Sequence, residues 1–96
     1  MDVLFLKVAQ VELEMSFDYY ESQIEGLGHE FMMEILATIK RIKNHPKAWA
    51  RLSVRTRRCL VKRFPYGVIY QIRDDKILIV AIAHLHRKPG YWKNRT

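Results

Sequence analysis

The chain has 96 residues, 49% hydrophobic and 28% charged, a balance that suits one small globular domain and excludes a disordered segment. Its single cysteine, Cys59, excludes an intramolecular disulfide, and no CxxC or Cys/His cluster suggests a structural zinc. The net charge of +7 is unevenly spread: residues 1–50 carry five Lys/Arg against eight carboxylates, a net of −3, whereas residues 51–96 carry twelve against Asp74 and Asp75, a net of +10.

A basic half of this density draws in polyanions such as RNA, or an acidic partner protein. The longest apolar run, Ile77 to Ala83, is seven residues, against the roughly 20 that a membrane-spanning helix needs. The N-terminal MDVLFLKVAQVELEM lacks the long apolar core of a signal peptide. A cytoplasmic protein with no membrane partner, no cofactor and no metal is the expectation.

Residues 2–7 read as a short strand. From Val8 to Ile24 the apolar period changes to three and four, with Val8, Val11, Met15 and Tyr19 on one stripe and Leu13, Phe17, Tyr20 and Ile24 on another. Two such stripes predict a helix covered on more than one side. Gly26 and Gly28 break it. A second helix carries Phe31, Ile35, Ile39 and Ile42 on one face and closes at Asn44-His45-Pro46. The short gap predicts an antiparallel helical hairpin. Met15, Met32 and Met33 are expected in the core or a groove, and His29 and His45 at exposed helix ends.

Residues 57–64 and 68–73 then read as strands, Asp74-Asp75-Lys76 as a turn, and 77–83 as the most buried strand. Alternation over 57–64 puts Arg58, Leu60, Lys62 and Phe64 on one face and Arg57, Cys59, Val61 and Arg63 on the other. Cys59 is expected to be a small buried hydrophobe, and Phe64, Pro65, Tyr66 and Tyr70 to serve core and turn. The order β-α-α-β-β-β predicts an α+β fold: a helical hairpin on a largely antiparallel four-stranded sheet, in a single domain spanning residues 1–96.

Several short motifs share this order. Tyr19-Tyr20-Glu21 is followed by Gly26-Leu27-Gly28 and Phe31. Pro46, Arg57, Phe64-Pro65-Tyr66 and Ile69-Tyr70 come next, then His84, Arg87, Pro89, Tyr91, Trp92 and Arg95. Together they resemble the RelE/ParE superfamily, the toxins of bacterial type II toxin–antitoxin (plasmid stabilisation) systems. The resemblance implies a tightly bound cognate antitoxin, acidic and partly disordered when free, and operator DNA contacted only through that complex. It also implies one of two targets. RelE-like members cut mRNA on the ribosome, whereas ParE-like members bind DNA gyrase without covalent chemistry.

Metal-independent RNA cleavage needs a base for the 2′-hydroxyl, cations around the phosphate and an acid for the leaving oxygen. Candidates for these roles are Arg57, Arg63, His84, His86, Arg87 and Tyr91. Candidates for holding RNA or another polyanion are Lys47, Arg51, Arg58, Lys62, Lys88, Trp92, Lys93 and Arg95, arginine for its planar fork and the aromatic ring for stacking. The plainer readings are that Arg57 pairs with Glu21 or another carboxylate of the first helix, and that the histidines are hydrogen-bonding strand-end residues.

His86 stands where RelE-like enzymes resemble one another in carrying an arginine, and Trp92 where they carry a tyrosine. No glutamate base lies within 50–64. Ribosome-dependent mRNA cleavage is nevertheless the expected activity, because the basic tail is rich in suitable His, Arg and aromatic groups; gyrase inhibition is the alternative, followed by a degraded toxin that only binds partners. All three readings expect the cations of residues 51–96 to converge near the end of the last strand.

Overall fold

One five-stranded sheet and one helical hairpin organise the computed structural model, which describes residues 1–96. In chain order the elements are β1 (Asp2–Phe5), α1 (Lys7–Gln23), α2 (Leu27–Asn44), β2 (Ala50–Arg51), β3 (Arg57–Leu60), β4 (Tyr66–Arg73) and β5 (Lys76–His84), then a 3₁₀ turn at Lys93–Arg95. The strands form one sheet in the order β1-β5-β4-β3-β2. Only β1 and β5 are parallel, and the other pairs are antiparallel. The expected α+β class and the hairpin hold. The strand count is five rather than four, because β2 is two exposed residues with no apolar alternation to announce it.

The Gly-Leu-Gly passage is where the hairpin is made. Gly26 adopts φ +89° at the N-cap of α2, a left-handed conformation that glycine adopts without a Cβ penalty. A Cβ on Gly28 would lie 2.7 Å from the Phe17 carbonyl oxygen and 2.9 Å from Cβ of Glu21, so the two helices close on that position. Glu21 completes the joint: its carboxylate accepts hydrogen bonds from the N–H groups of Gly26 (2.8 Å) and Gly28 (2.9 Å). These are N-terminal donors that α2 cannot satisfy itself. The Gly26 N–H is the largest of the causes that hold the Glu21 carboxyl below its ordinary range.

The hairpin covers one face of the sheet. Phe31, Ile35, Ile39 and Ile42 of α2 meet Cys59, Val68, Tyr70, Ile77 and Ile79 from the strands. Tyr20, Phe31, Phe64 and Tyr66 form an aromatic knot, with ring centroids 4.9–5.2 Å apart for the Phe31–Tyr66, Tyr20–Phe64, Tyr20–Phe31 and Phe31–Phe64 pairs. On α1 only Ala9 is fully buried, with Leu13 and Tyr20 packed behind it. The stripe Val8, Val11, Met15 and Tyr19 faces outward, so α1 is covered on one side, not on more than one. Met15 and Met33 are likewise exposed, and Met32 is half-buried.

The basic strand is shorter than its alternation implies. It ends at Leu60 because Arg63 takes φ +70° and the Tyr66 N–H turns back to the Phe64 carbonyl. Phe64 thereby swings to the hairpin side, while Leu60, expected on the same face, stays exposed. On the last strand, Val80 and Ala81 both face the side opposite the hairpin, through an irregularity in the β4–β5 register. A second small core results there, in which Ile69, Val80, Ala81 and Ala83 pack with Trp92. Both faces of β5 are covered, which is why it reads as an unbroken apolar run.

Two outcomes follow. Gly28→Ala forces the helices apart against backbone and should cost about 1–3 kcal/mol in urea unfolding. A loss below 0.5 kcal/mol, roughly the size of an ordinary surface change, would remove the close approach as a constraint. For Glu21, a folded-state pKa below the unfolded one means stability that is present above the unfolded pKa, near 4. It is lost as pH falls through the folded pKa. Stability profiles from pH 7 to pH 2 should therefore fall less steeply for Glu21→Gln than for the wild type, and coincident acid limbs would exclude this role.

Candidate functional site

β1 stops at Phe5, paired to Ile79, but β5 runs on to His84. From Val80 onward, the edge of β5 facing β1 has no strand to bond. Glu12 of α1 and Arg95 of the tail take that place. Glu12 Oε1 accepts the Ile82 N–H at 3.1 Å, and Arg95 Nη1 donates to the Val80 carbonyl at 3.0 Å. The two side chains also bond each other twice, at 2.8 and 2.9 Å. Their side chains are only 14% and 16% exposed, so the pair is a largely buried bidentate bridge. The Glu12 hydrogen bond is the largest influence raising the Arg95 pKa.

Tyr91 belongs to the same knot. Its hydroxyl donates to Glu12 Oε2 at 2.9 Å, and its ring lies under the Arg87 guanidinium at 3.7 Å and near that of Arg95 at 5.0 Å. Burial, then the bond to Glu12, pushes the phenol up to about 12, so it does not act as a base near neutral pH. Arg87 keeps only a 3.8 Å approach to Glu12 and is 56% exposed.

The tail thus folded closes a groove of about 230 Å3 at the end of β5. Ile69, Ala83, Leu85, Leu52 and Trp92 supply its apolar surface, and Arg58, Arg87, Lys88 and Lys93 supply charge, with no carboxylate in the lining. Arg58 lies on the sheet because position 67 is glycine: a Cβ there would stand 2.8 Å from Arg58 Cδ. Its Nε is buried with no hydrogen-bond partner within the chain.

The expected site residues do not all meet in this groove. His84 lines it, half-buried, with its ring 5.0 Å from Tyr66 and 5.1 Å from the exposed His86. His84 Nδ1 accepts the His86 N–H at 3.1 Å, which caps the turn after the strand. Trp92 is buried and offers no open ring for stacking on a base. Arg95 is spent on Glu12. Arg63 lies on the hairpin side, bonded to Glu30 at 2.7 Å and near Glu34 at 3.6 Å. Lys62 borders another hollow, beside Arg41 and Trp49.

Arg57 does not pair with Glu21. It donates to the Lys47 and Trp49 carbonyls at 3.0 and 2.9 Å and so pins the loop before β2. Lys47, Arg51 and Arg57 line a separate cleft with Arg55 and Arg73. The twelve cations of residues 51–96 therefore divide among several surfaces and do not converge at one. Glu12, which organises the tail, was not singled out from the sequence. The one local sign was a carboxylate set between the apolar Val11 and Leu13.

This fold is shared with a solved structure described as the chromosomal ParDE TA system from P. aeruginosa. The TM-score is 0.78 at 17% sequence identity, and the match covers 90% of this chain and 97% of that one. No curated protein sequence matches the chain. Residues 3–89 match the family described as the ParE toxin of type II toxin-antitoxin system, parDE. The chain belongs to that family. It is the toxin of a type II toxin–antitoxin pair, and an antitoxin is its partner. No helix is long and apolar enough to cross a membrane.

If the buried bridge holds the tail, Glu12→Ala should cost about 3–5 kcal/mol, since it leaves the Arg95 charge unpaired and the Ile82 N–H unsatisfied. A double-mutant cycle with Arg95→Met should give a coupling of at least about 1 kcal/mol. Additive losses in urea unfolding would mean that the two side chains act separately.

Proposed function

We propose that this toxin arrests growth by binding DNA gyrase, as a non-enzymatic inhibitor, and not by cutting mRNA. The observation that carries this reading is the internal engagement of the groups that cleavage would need. Tyr91 and Arg95 are tied to Glu12, Arg63 to Glu30, Arg57 to two carbonyls, and Trp92 is buried. Cleavage requires an acid and a base free to exchange protons at the reacting phosphate. Of the candidates for that work, His86, Arg87 and the surface-paired Arg63 are open to solvent, and His84 partly so. Arginine stays protonated at physiological pH and is no base.

What remains suits recognition of a protein. An apolar floor rimmed by cations can hold an amphipathic segment with acidic flanks. The acidic antitoxin, folding from a partly disordered state, fits the same groove, so target and antitoxin would compete. The setting is the cytoplasm, where gyrase acts, and operator recognition falls to the antitoxin.

Purified toxin, freed of antitoxin, should block supercoiling by purified gyrase and accumulate gyrase–DNA cleavage complexes. A parallel reaction with translating ribosomes should leave mRNA intact. Arg87→Ala, which removes an exposed rim cation, should weaken gyrase inhibition at least tenfold, on the order of 1.4 kcal/mol or more. Its stability should fall by no more than the loss of an exposed contact with the Tyr91 ring, about 0.5–1 kcal/mol. Codon-spaced mRNA cuts with normal supercoiling would instead establish the ribosomal target. Inertness in both assays would point to a degraded toxin that retains only its antitoxin.

A further inference from the structure

The cleft away from the end of β5 has no part in that reading, and its chemistry is distinct. About 460 Å3 in volume, it is lined by Lys47, Arg51, Arg55, Arg57 and Arg73 beside Gln71, with no carboxylate. It opens where β3 pairs no further than Arg57–Tyr70 while β4 continues to Arg73. Elsewhere the basic half is partly neutralised: Arg63 by α2, and Arg87 and Arg95 by Glu12. None of the five cleft cations enters an ion pair. The side chains of Lys47, Arg51 and Arg55 make no hydrogen bond either, since their bonds run through the backbone alone. Five cations held this close without counter-charge repel one another, and an anion relieves that repulsion.

The surroundings identify the anion. Val54, Arg55 and Gln71 also line a neighbouring hollow, which shares Trp92 and Lys93 with the groove at the end of β5. The three depressions thus lie in a row, neighbours sharing a wall, and none is lined by an Asp or Glu. A small phosphate would fill one end of such a track, whereas a repeating chain of phosphates follows it. The cleft holds no aromatic ring on which an unstacked base could rest, and Trp92 beyond it is buried. Single strands are held by such rings, while a duplex presents phosphates outward and needs none.

We infer that the cleft formed by Lys47, Arg51, Arg55, Arg57 and Arg73 binds the phosphate backbone of duplex DNA, without reading its sequence. The toxin then contributes its own DNA contacts, independently of the antitoxin. This departs from the expectation that DNA is met only through the complex. It does not depend on gyrase being the target, because it is tested with toxin and DNA alone.

The test measures fluorescence anisotropy of a random-sequence duplex with antitoxin-free toxin from 50 to 300 mM salt. The triple variant Lys47→Gln, Arg51→Gln, Arg55→Gln removes three side chains that make no bond within the chain. A control of equal charge, Lys7→Gln, Lys40→Gln, Lys43→Gln, alters exposed positions on the two helices. Each lost phosphate contact should lower the slope of log K against log salt by about 0.9, so the cleft variant should lose about 2 to 3 units of slope. The control should keep the wild-type slope to within about one unit. Equal losses in both variants would overturn the cleft as a site, leaving only general charge attraction. Tighter binding of a single strand of the same sequence would overturn the duplex. Displacement of DNA by polyglutamate at matched charge concentration would assign the cleft to an acidic polypeptide.

Discussion

The fold depends on how one strand edge is closed. β5 outruns β1 and exposes the Val80 carbonyl and the Ile82 N–H where no further strand arrives. Leaving such groups buried and unbonded costs about 1–3 kcal/mol each. A carboxylate from α1 and a guanidinium from the tail satisfy both, and each other. A single ion pair thereby fastens the second helical turn, the longest strand and the last residues of the chain. It also lets Trp92 cover the second face of the sheet.

That closure has a functional consequence. The tail looks like reactive equipment, with two arginines, a tyrosine, a tryptophan and two histidines within twelve residues. Half of it is structural once folded. Glu12 holds the tyrosine and one arginine, and the core takes the tryptophan. What reaches solvent is the residue of that arrangement: an apolar groove with a cationic rim, and a second cleft in which five cations stand beside Val54, Gln71 and Ile72. Surfaces of that kind recognise partners by shape and charge. The basic half thus presents separate cationic depressions, one with an apolar floor of Ile69, Ala83 and Trp92 and another lined by four arginines and a lysine.

Some motifs carried their physical reasons openly. Gly26-Leu27-Gly28 announces a break between helices, and the structure adds that Gly28 is also a point of backbone contact. Tyr20, Phe31, Phe64 and Tyr66, which lie up to 46 residues apart in the chain, belong to one aromatic knot. Their hydrophobicity marks them as core, but nothing local tells that Phe64 turns to the hairpin side. That turn follows from the positive φ of Arg63, a residue type that does not signal such a conformation. β2 was invisible for a similar reason: two residues held by pairing alone leave no pattern.

The sequence by itself determined the class of fold, the hairpin, the buried last strand and the charge asymmetry between the halves. Those properties follow from local periodicity and composition, which folding preserves. It also held the ordered motifs by which the family is met. Only the tertiary structure decided which cations are free. Arg63 and Arg95 are the same residue type as Arg51 and Arg55, yet the first two meet carboxylates 33 and 83 residues away and the others meet none. Pairing between distant side chains is a property of the packed chain, because charge neutralisation depends on distances that sequence separation does not set.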